Sequence, residues 1–503
     1  MSCSRRFVAV MSVMAVVSSP SHADILFVDN CTRPGGGTDG ISFSSIQAAI
    51  DAAVDGDEVV VAPCAYFETI NFLGKAIRLR SSGGPDVTTI DAQGEGVVVT
   101  CTSGEGPDTI LDGFTITGGA FFGGMRNEGS SPTVTDCSFD GNTAAAGGGM
   151  FTSGTSSPTV TNCSFTGNMA APFSGLGGGM TIGGGSNVTV TGCTFTGNTT
   201  GLFGGGLVIL NGSNATVTDC TFTDNVSVNS GGGMAILDGS PLVTGCTFIG
   251  NTALQGGGIM NGTGSSPILT NCVLHGNTAS EGGGGMANFG SCPTLINCTI
   301  TQNFDGPVGG GGIFNDGFNS SVTLVVLNCV LWDNFENQIR EVGENSDTTV
   351  LYSNIQGGWP GLGNINALPM FVDPDNGDLR LQPGSPCIDA GDDTAVPKGV
   401  LRDLDGHPRF VDDACSGHAG PIVDIGAYEF QGTSCDLSNV MAIVAAWGSC
   451  TDCGTPQACP ADFDGDCSVG GLDLLWLLRE LAPERIVPIN GNFRWGRPPR
   501  ASQ

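Results

Sequence analysis

The chain has 503 residues, with 48 Asp and Glu against 17 Lys and Arg, and its formal net charge is −31. An acidic surface of this kind repels phosphate backbones, which argues against a nucleic-acid partner. Only 13% of the residues are charged, whereas glycine occurs 82 times, so the composition is not that of a charged disordered protein. The abundance of Gly, Thr, Ser, Asn and Val indicates many short strands joined by tight turns.

Residues 1–23 have the pattern of a secretory signal peptide. Arg5 and Arg6 precede the apolar run from Phe7 to Val17, and Ser21-His22-Ala23 supplies small residues for cleavage. The run is too short for a membrane span, and no later apolar run reaches the necessary length. The sequence therefore predicts a secreted or cell-surface protein.

Residues 24–100 are predicted to form an N-terminal cap and the first coils of a solenoid. Four apolar residues with helical spacing predict an amphipathic helix that covers exposed strand edges: Ile46, Ala49, Ile50 and Ala53. A strand from Glu58 to Ala62 is expected to follow. Cys31 and Cys64 flank this cap, and an extracellular location permits a disulfide between them.

Residues 101–360 are dominated by a repeat of the form S-P-T-V-T-N-C-T-F-T-G-N-T-A-x-G-G-G-M. Successive cysteines of the repeat are 26, 30, 27, 26, 26, 26 and 31 residues apart. They are Cys137, Cys163, Cys193, Cys220, Cys246, Cys272, Cys298 and Cys329.

Each position of the repeat has a physical interpretation. The Cys and the apolar residue two positions later point inward, and the hydroxyl residue between them points outward. The residue before each Cys is Asn, Asp or Gly, which predicts a corner in the left-handed conformation. A second Asn closes the strand, and its amide is expected to bond equivalent residues one coil above and below. These asparagines are Asn142, Asn168, Asn198, Asn225, Asn251, Asn277, Asn303 and Asn334.

Three short strands and three corners per unit predict an all-β fold, a right-handed parallel β-helix of about ten coils. The third strand contains the glycine run and an inward residue, from Met150 to Ile313. We interpret the repeated cysteines as small apolar residues in a buried row. Metal binding or disulfides along the row are the alternative, although the cysteines lack the C-x-x-C spacing of most metal sites and parallel side chains make poor disulfide geometry.

Residues 361–434 are predicted to close the solenoid. Phe371 to Phe430 has irregular turns and is expected to close the last coil, with Cys387 and Cys415 as a disulfide staple. The loops before the glycine runs contain apolar residues that either form an exposed contact strip or fold back over the coils. These residues are Phe173, Leu202, Phe203, Leu254 and Phe304.

Residues 435–482 are predicted to form a small helical module that binds Ca²⁺. Asp462, Asp464, Asp466 and Asp473 occupy positions 1, 3, 5 and 12 of a loop, with the carbonyl of Ser468 at position 7. The residues that follow, Leu474 to Leu481, have a helical pattern. An acidic surface turn before a helix is the alternative interpretation. Four nearby cysteines indicate disulfide staples or a zinc site: Cys450, Cys453, Cys459 and Cys467. Residues 483–503 are expected to be a disordered tail.

Three resemblances follow from these motifs. Elements such as Phe139 to Asn142, alternating with G-G-G-M runs, resemble the repeats of the polymorphic outer membrane protein family over about residues 113–335. This resemblance implies a surface β-helix with a role in adhesion. The cap and coils resemble the pectin-lyase-like superfold. Cys435 to Leu481 resembles a dockerin, which implies a cohesin-like partner, although one of the two dockerin repeats lacks its acidic loop.

The repeat region has few residues suited to polysaccharide chemistry. Residues 101–330 contain one Arg, Arg126, one His, His275, and neither Trp nor Tyr. Asp136 and Asp219 occupy corner positions, and Gly391-Asp392-Asp393 resembles a polygalacturonase fragment without its companion motifs. We therefore predict no catalytic residues and a non-catalytic adhesion, structural or binding protein with a polysaccharide or cell-surface ligand. The alternative is an extracellular polysaccharide lyase or glycoside hydrolase docked through its dockerin-like tail.

Overall fold

A computed structural model describes residues 23–29, 42–306, 309–411 and 423–432, together with four short strands after residue 440. The strands stack into three parallel sheets that run the length of a right-handed β-helix and a shorter fourth parallel sheet in its central coils. The chain passes in each coil through the first sheet, the second sheet, in the central coils a short fourth sheet, and then the third sheet. The predicted fold class is therefore confirmed.

The first sheet has fourteen strands: Ser42–Phe43, Ile25–Val28, Glu58–Val61, Arg78–Ser81, Ile110–Asp112, Thr133–Thr135, Thr159–Thr161, Thr189–Thr191, Thr216–Thr218, Leu242–Thr244, Ile268–Thr270, Thr294–Ile296, Val322–Leu327 and Ser346–Leu351. The second has twelve: Ala65–Tyr66, Thr89–Asp91, Thr115–Thr117, Ser138–Asp140, Ser164–Thr166, Thr194–Thr196, Thr221–Thr223, Thr247–Ile249, Val273–His275, Thr299–Thr301, Val330–Trp332 and Asn354–Ile355.

The third sheet has eleven strands: Ile70–Asn71, Val99–Cys101, Met125–Glu128, Met150–Ser153, Met180–Ile182, Leu207–Leu210, Met234–Leu237, Ile259–Asn261, Met286–Phe289, Ile313–Asp316 and Ile339–Val342. The fourth sheet was not predicted, and its six strands have two residues each: Thr143–Ala144, Met169–Ala170, Thr199–Thr200, Val226–Ser227, Thr252–Ala253 and Thr278–Ala279.

Equivalent residues of successive coils lie directly above one another, because the strands pair in register. Phe165, for example, pairs with Phe195. Five phenylalanines stack with ring centroids 4.7 to 4.8 Å apart: Phe139, Phe165, Phe195, Phe222 and Phe248. The eight repeat cysteines are at most 2% exposed and carry free thiols, which confirms that they form one buried row.

The corner before each repeat cysteine is left-handed, as predicted. The φ angles of the eight corner residues lie between 51° and 63°. The second asparagine forms a continuous buried ladder, in which each Nδ2 donates to the Oδ1 of the next coil at 2.9 to 3.1 Å. Each Nδ2 also donates to a backbone carbonyl of the preceding coil, as Asn225 does to Phe195 at 2.8 Å. The ladder therefore satisfies polar groups that would otherwise be buried without partners.

The N-terminal cap helix is present at Ile46–Ala52. The Ser45 side chain accepts a hydrogen bond from the amide of Ala48, and Ile46, Ala49 and Ile50 are buried. Lys75 caps the C-terminal end of this helix. Its Nζ donates to three carbonyl oxygens, those of Ile50, Asp51 and Ala53, at 2.7 to 2.8 Å. Cys31 lies outside the described residues, so its bridge to Cys64 stays a prediction.

The segment 371–430, which we call the closing segment, corrects one prediction. Its described residues lie against the outer face of the second sheet rather than over the end of the last coil. Apolar residues of the segment, including Leu379 and Ile425, share a buried cluster with Val273 and Val330 of that sheet. The segment contains an antiparallel pair, Phe371–Asp373 with Asp378–Leu381, and two short 3-10 turns, Pro374–Asn376 and Asp393–Ala395.

The predicted staple between Cys387 and Cys415 is also wrong, because Cys387 carries a free buried thiol. Its sulfur accepts a hydrogen bond from Asn354 Nδ2 at 3.2 Å. Beyond residue 440, Gly448–Ser449 pairs with Ser468–Val469, and Ile486–Ile489 pairs with Asn492–Trp495, both antiparallel.

Candidate functional site

A polar cleft of about 500 Å³ lies at the C-terminal end of the β-helix. Residues from the segments 333–339 and 355–359 line it. We call it the terminal cleft. It is the candidate binding site of the described chain, since binding sites are concave and combine aromatic side chains with a few convergent polar groups.

The cleft exists because the end of the solenoid is covered unevenly. The segment after Ile355 turns over the first two sheets: Tyr352 donates from its amide to the carbonyl of Leu362 at 2.8 Å, and Ile355 donates to Ile365 at 3.0 Å. In the third sheet the inward residue of each coil donates to the next coil, as Ile313 does to Gln338 at 2.9 Å. This row ends at Ile339, because Ile339–Val342 is the last strand of that sheet among the described residues.

Three carboxamides form the floor of the terminal cleft. Gln356 Oε1 accepts from the amide of Asp333 at 2.7 Å and from Gln338 Nε2 at 3.1 Å. Asn334, the last residue of the asparagine ladder, donates from Nδ2 to Gln338 Oε1 at 2.6 Å. The floor is therefore preorganised, since each of these amides is held by another before any ligand arrives.

Two acidic residues line the cleft, Asp333 and Glu336, and both are exposed. Both residues have left-handed backbones, with φ of 57° and 58°. For Asp333 this is the repeat's own corner, because the residue before the ladder asparagine is also left-handed in the preceding coils, as at Gly276 and Gln302. No Lys, Arg or His is among the described residues that line the cleft.

Trp359 is the aromatic residue of the terminal cleft. Its ring is half-buried against the end of the hydrophobic core and lines the cleft with its remaining surface. A flat indole beside amides and carboxylates is suited to a sugar ring, which has an apolar face and polar edges. Trp359 was not predicted from the sequence, because the repeat region at residues 101–330 contains neither Trp nor Tyr and Trp359 lies beyond it.

The calcium ligands predicted from the sequence lie outside the described residues, apart from the backbone of Ser468. Asp462, Asp464, Asp466 and Asp473 therefore stay predictions. Among the described residues no group of three or more His, Cys, Asp or Glu is arranged to hold a metal ion.

The corner carboxylates are not brought together. Asp136 and Asp219 occupy equivalent corners three coils apart, and strands about 4.8 Å apart place them roughly 14 Å from each other. This exceeds the separation of roughly 5 to 9.5 Å that glycoside hydrolases need between their two carboxyls. Asp219 has a raised pKa because it is partly buried. These residues are structural corners, as interpreted from the sequence.

The Gly391-Asp392-Asp393 motif also has a structural role. Asp392 exchanges hydrogen bonds with Asn328, since its amide donates to Asn328 Oδ1 at 2.8 Å and its carbonyl accepts from Asn328 Nδ2 at 3.0 Å. The Asp392 side chain caps the following 3-10 turn by accepting from the amide of Thr394 at 2.9 Å. Asp393 accepts from the amide of Val423 at 3.1 Å. The motif fastens the closing segment to the β-helix.

A buried cluster of one arginine and two acidic side chains lies inside the closing segment. Arg409 is fully buried, its Nε lies 3.7 Å from Glu429 Oε2, and its Nη2 donates to the carbonyls of Asp424 and Gly426. Burial raises the pKa of Asp424 to about 7 and that of Glu429 to about 9. His275, under the same segment, has its pKa lowered by burial. Because all three side chains of the cluster are buried among the described residues, we assign the cluster a structural role.

Some of the loop residues proposed as an apolar strip are exposed, and others fold back over the coils. Phe173 is 90% exposed and Phe304 is 46% exposed. Phe203 instead packs on the buried outer residues Val208 and Met260 of the third sheet. The strip is therefore discontinuous. In the described part of the chain, no helix combines the length and the hydrophobicity that crossing a membrane requires.

These features define a right-handed parallel β-helix protein with a polar cleft at one end. The chain belongs to the right handed beta helix region family, whose model matches residues 69–205 and 202–355. No curated protein matches the sequence.

Several solved structures share the fold at low identity. Pectate lyase Pel9A is 15% identical with a TM-score of 0.43, over 81% of this chain and 97% of that chain. The catalytic unit of a GH87 alpha-1,3-glucanase from Streptomyces thermodiastaticus is 13% identical with a TM-score of 0.41, over 69% and 70%. The PL6 family alginate lyase AlyGC is 13% identical with a TM-score of 0.37, over 70% and 57%.

Proposed function

We propose that this protein is an extracytoplasmic, non-catalytic polysaccharide-binding protein that holds a short stretch of glycan in the terminal cleft. The observation that carries the proposal is the position of Trp359, which lines the same cleft as the carboxamides of Gln338 and Gln356. The indole supplies a stacking face, and the carboxamides supply both donors and acceptors for sugar hydroxyls.

A binding role is favoured over a catalytic one by the exposure of the two carboxylates. The general acid of a glycosidase is buried beside apolar side chains. Asp333 and Glu336 are instead both exposed. The polysaccharide-active enzyme remains the second candidate, because two carboxylates do line one cleft.

The experiment measures binding of neutral oligosaccharides by calorimetry and, in parallel, the release of reducing ends and unsaturated sugars. Trp359→Ala should weaken binding about tenfold, since aromatic contacts of this kind contribute roughly 0.5–1.5 kcal/mol beyond burial. Phe173→Ala removes an aromatic residue that is 90% exposed and remote from the cleft, and it should bind like the parent.

Trp359 also packs on the core, so a second variant separates binding from folding. Asn337 is exposed and lines the cleft, and Asn337→Trp should fill the cleft without removing a core contact. Unchanged glycan binding in Asn337→Trp would place the ligand elsewhere. Steady product release by the parent would establish the enzyme instead.

Secretion and a calcium-dependent attachment complete the proposal. The signal pattern of residues 1–23 supports export, and the acidic loop beginning at Asp462 supports a calcium module that binds a cohesin-like partner. A β-helix that binds glycan at one end and is attached through its C-terminal region would act as an adhesion or structural protein of the cell surface.

A further inference from the structure

The charge of the terminal cleft distinguishes between classes of glycan, and this inference rests on the proposed function. The ionisable side chains that line the cleft are Asp333 and Glu336, and the remaining polar side chains that line it are uncharged carboxamides. The described lining of the cleft therefore presents negative charge and contains no positive side chain.

We propose that the terminal cleft takes cationic glycans, which are polymers of amino sugars with free, protonated amines, in preference to neutral glycans and polyuronates. An amine beside either carboxylate would form an exposed ion pair, which is worth roughly a 1.4-fold to fivefold gain in affinity. The carboxylate of a uronate would be repelled by the same groups.

Asp333 carries the larger part of this selectivity. Its amide is tied to Gln356 at 2.7 Å, so the backbone below its carboxylate is fixed. Glu336 lies close to the Arg340 guanidinium on the side of Gly309, and this guanidinium does not line the cleft. The nearby positive charge offsets part of the field of Glu336, whereas the field of Asp333 is not offset in this way.

The overall charge acts in the same direction. With a formal net charge of −31, the molecule attracts polycations and slows the approach of polyanions. This long-range contribution falls off over about 8 Å at physiological ionic strength. The selectivity of the cleft itself should therefore persist in part at salt concentrations that remove the steering.

The test compares three tetrasaccharides by calorimetry with the full-length protein at about pH 6, where carboxylates are ionised. They are a glucosamine tetramer, its N-acetylated counterpart with the same backbone and no charge, and a galacturonate tetramer. We expect the glucosamine tetramer to bind about fivefold more tightly than the N-acetylated one at low salt, and the galacturonate to bind least.

The affinity for the glucosamine tetramer divided by that for its N-acetylated counterpart is the selectivity ratio. Asp333→Asn should reduce this ratio toward one, and Glu336→Gln should reduce it less. Asn tolerates the left-handed backbone at this position, so the variant should fold. Asp140→Asn, which removes an exposed charge on the second sheet, should leave the ratio unchanged.

Equal affinity for the two glucosamine-backbone ligands, or a preference for galacturonate, would overturn the charge selectivity and leave glycan binding intact. The selectivity of the cleft is equally overturned if Asp140→Asn reduces the ratio as much as Asp333→Asn does, because the effect would then come from the general charge. Failure of all three ligands and of neutral glucans to bind would overturn the proposed function as well.

Discussion

The carboxamide of Asn297 donates from Nδ2 to the carbonyl oxygen of Asp424 at 3.1 Å, which joins a corner of the β-helix to the closing segment. Asn271 and Asn328 make equivalent bonds to that segment at 2.7 and 3.0 Å. Asn162 has the same corner conformation, with φ of 52°, but its amide reaches only the corner of the neighbouring coil at 3.4 Å. The corner asparagine therefore has two roles. It forms the left-handed turn of its coil, and in the coils of Asn271, Asn297 and Asn328 it also binds the closing segment.

Asn297→Ala should loosen the closing segment, and Asn162→Ala should not. Both variants place alanine in a left-handed corner, at a cost of about 1–2 kcal/mol. Asn297→Ala additionally loses the bond to Asp424, worth about 1 kcal/mol. Hydrogen exchange in residues 371–411 measures the difference. Equal exchange in the two variants would show that the amide bond does not fasten the segment.

Asn225→Ala should strongly destabilise the central coils. The substitution leaves the Phe195 carbonyl and the Asn198 amide groups without their partners. We expect the free energy of unfolding to fall by about 3 kcal/mol or more, because buried polar groups lose their hydrogen bonds. Asn187→Ala, at an exposed position, should change it by less than about 0.5 kcal/mol. Urea denaturation followed by circular dichroism provides the comparison.

The closing segment should become less stable as the pH rises. Asp424 and Glu429 have pKa values of about 7 and about 9 in the folded protein, well above about 4 in the unfolded chain. The folded state therefore binds more protons over this range, and its stability decreases with rising pH through that window. The full contribution is present below about pH 4 and is lost above about pH 9.

Hydrogen exchange at three pH values, corrected for the intrinsic exchange rate, measures this loss. Glu429→Gln should flatten the dependence, because the amide cannot ionise. Asp140→Asn, on the exposed surface, should keep the slope of the parent. A closing segment whose stability is constant between about pH 5 and 9 would show that the two carboxyls are ionised in the folded state.

Thiol reagents should distinguish Cys292 from the repeat cysteines. Cys292 is exposed, whereas Cys220 and Cys246 are buried, and burial raises the pKa of the Cys246 thiol well above its usual value. A buried, protonated thiol is unreactive. Alkylation of the native protein followed by peptide mapping should label Cys292 within minutes and the repeat cysteines only after unfolding. Rapid native labelling of Cys220 would contradict the buried row.

Calcium should bind the C-terminal module and leave the β-helix unaffected. Without a cation, Asp462, Asp464, Asp466 and Asp473 repel one another, and calcium removes that repulsion. Because Asp473 is shorter than the usual Glu, we expect a dissociation constant on the order of 10⁻⁴ M. Calcium titration of the full chain measures it, with Asp464→Ala as the variant that should not bind. Protection from proteolysis by calcium should extend only to residues after about Cys435.

The sequence by itself determined the repeating part of the protein. Each repeat coil is specified by local signals, such as the left-handed corner at Asn162 and the inward alternation at Cys163 and Phe165, and equivalent signals recur in the eight coils from Cys137 to Cys329. Stacking then follows because a single coil cannot bury its apolar face alone. The cysteine row and the asparagine ladder were predictable for that reason, whereas the cap helix was predictable from its own helical spacing of apolar residues.

Only the tertiary structure decided what happens where the repeat stops. The contact of Asn297 with Asp424 joins residues 127 positions apart, and no periodic pattern in the sequence predicts it. Among the described residues, the segment after Ile355 covers the ends of the first two sheets and not the end of the third, and Trp359 and Asp333 line the cleft that results. The side chains that line the cleft belong to no motif in the sequence. They come together because of how a non-repeating segment packs, and local conformational preference does not determine that packing.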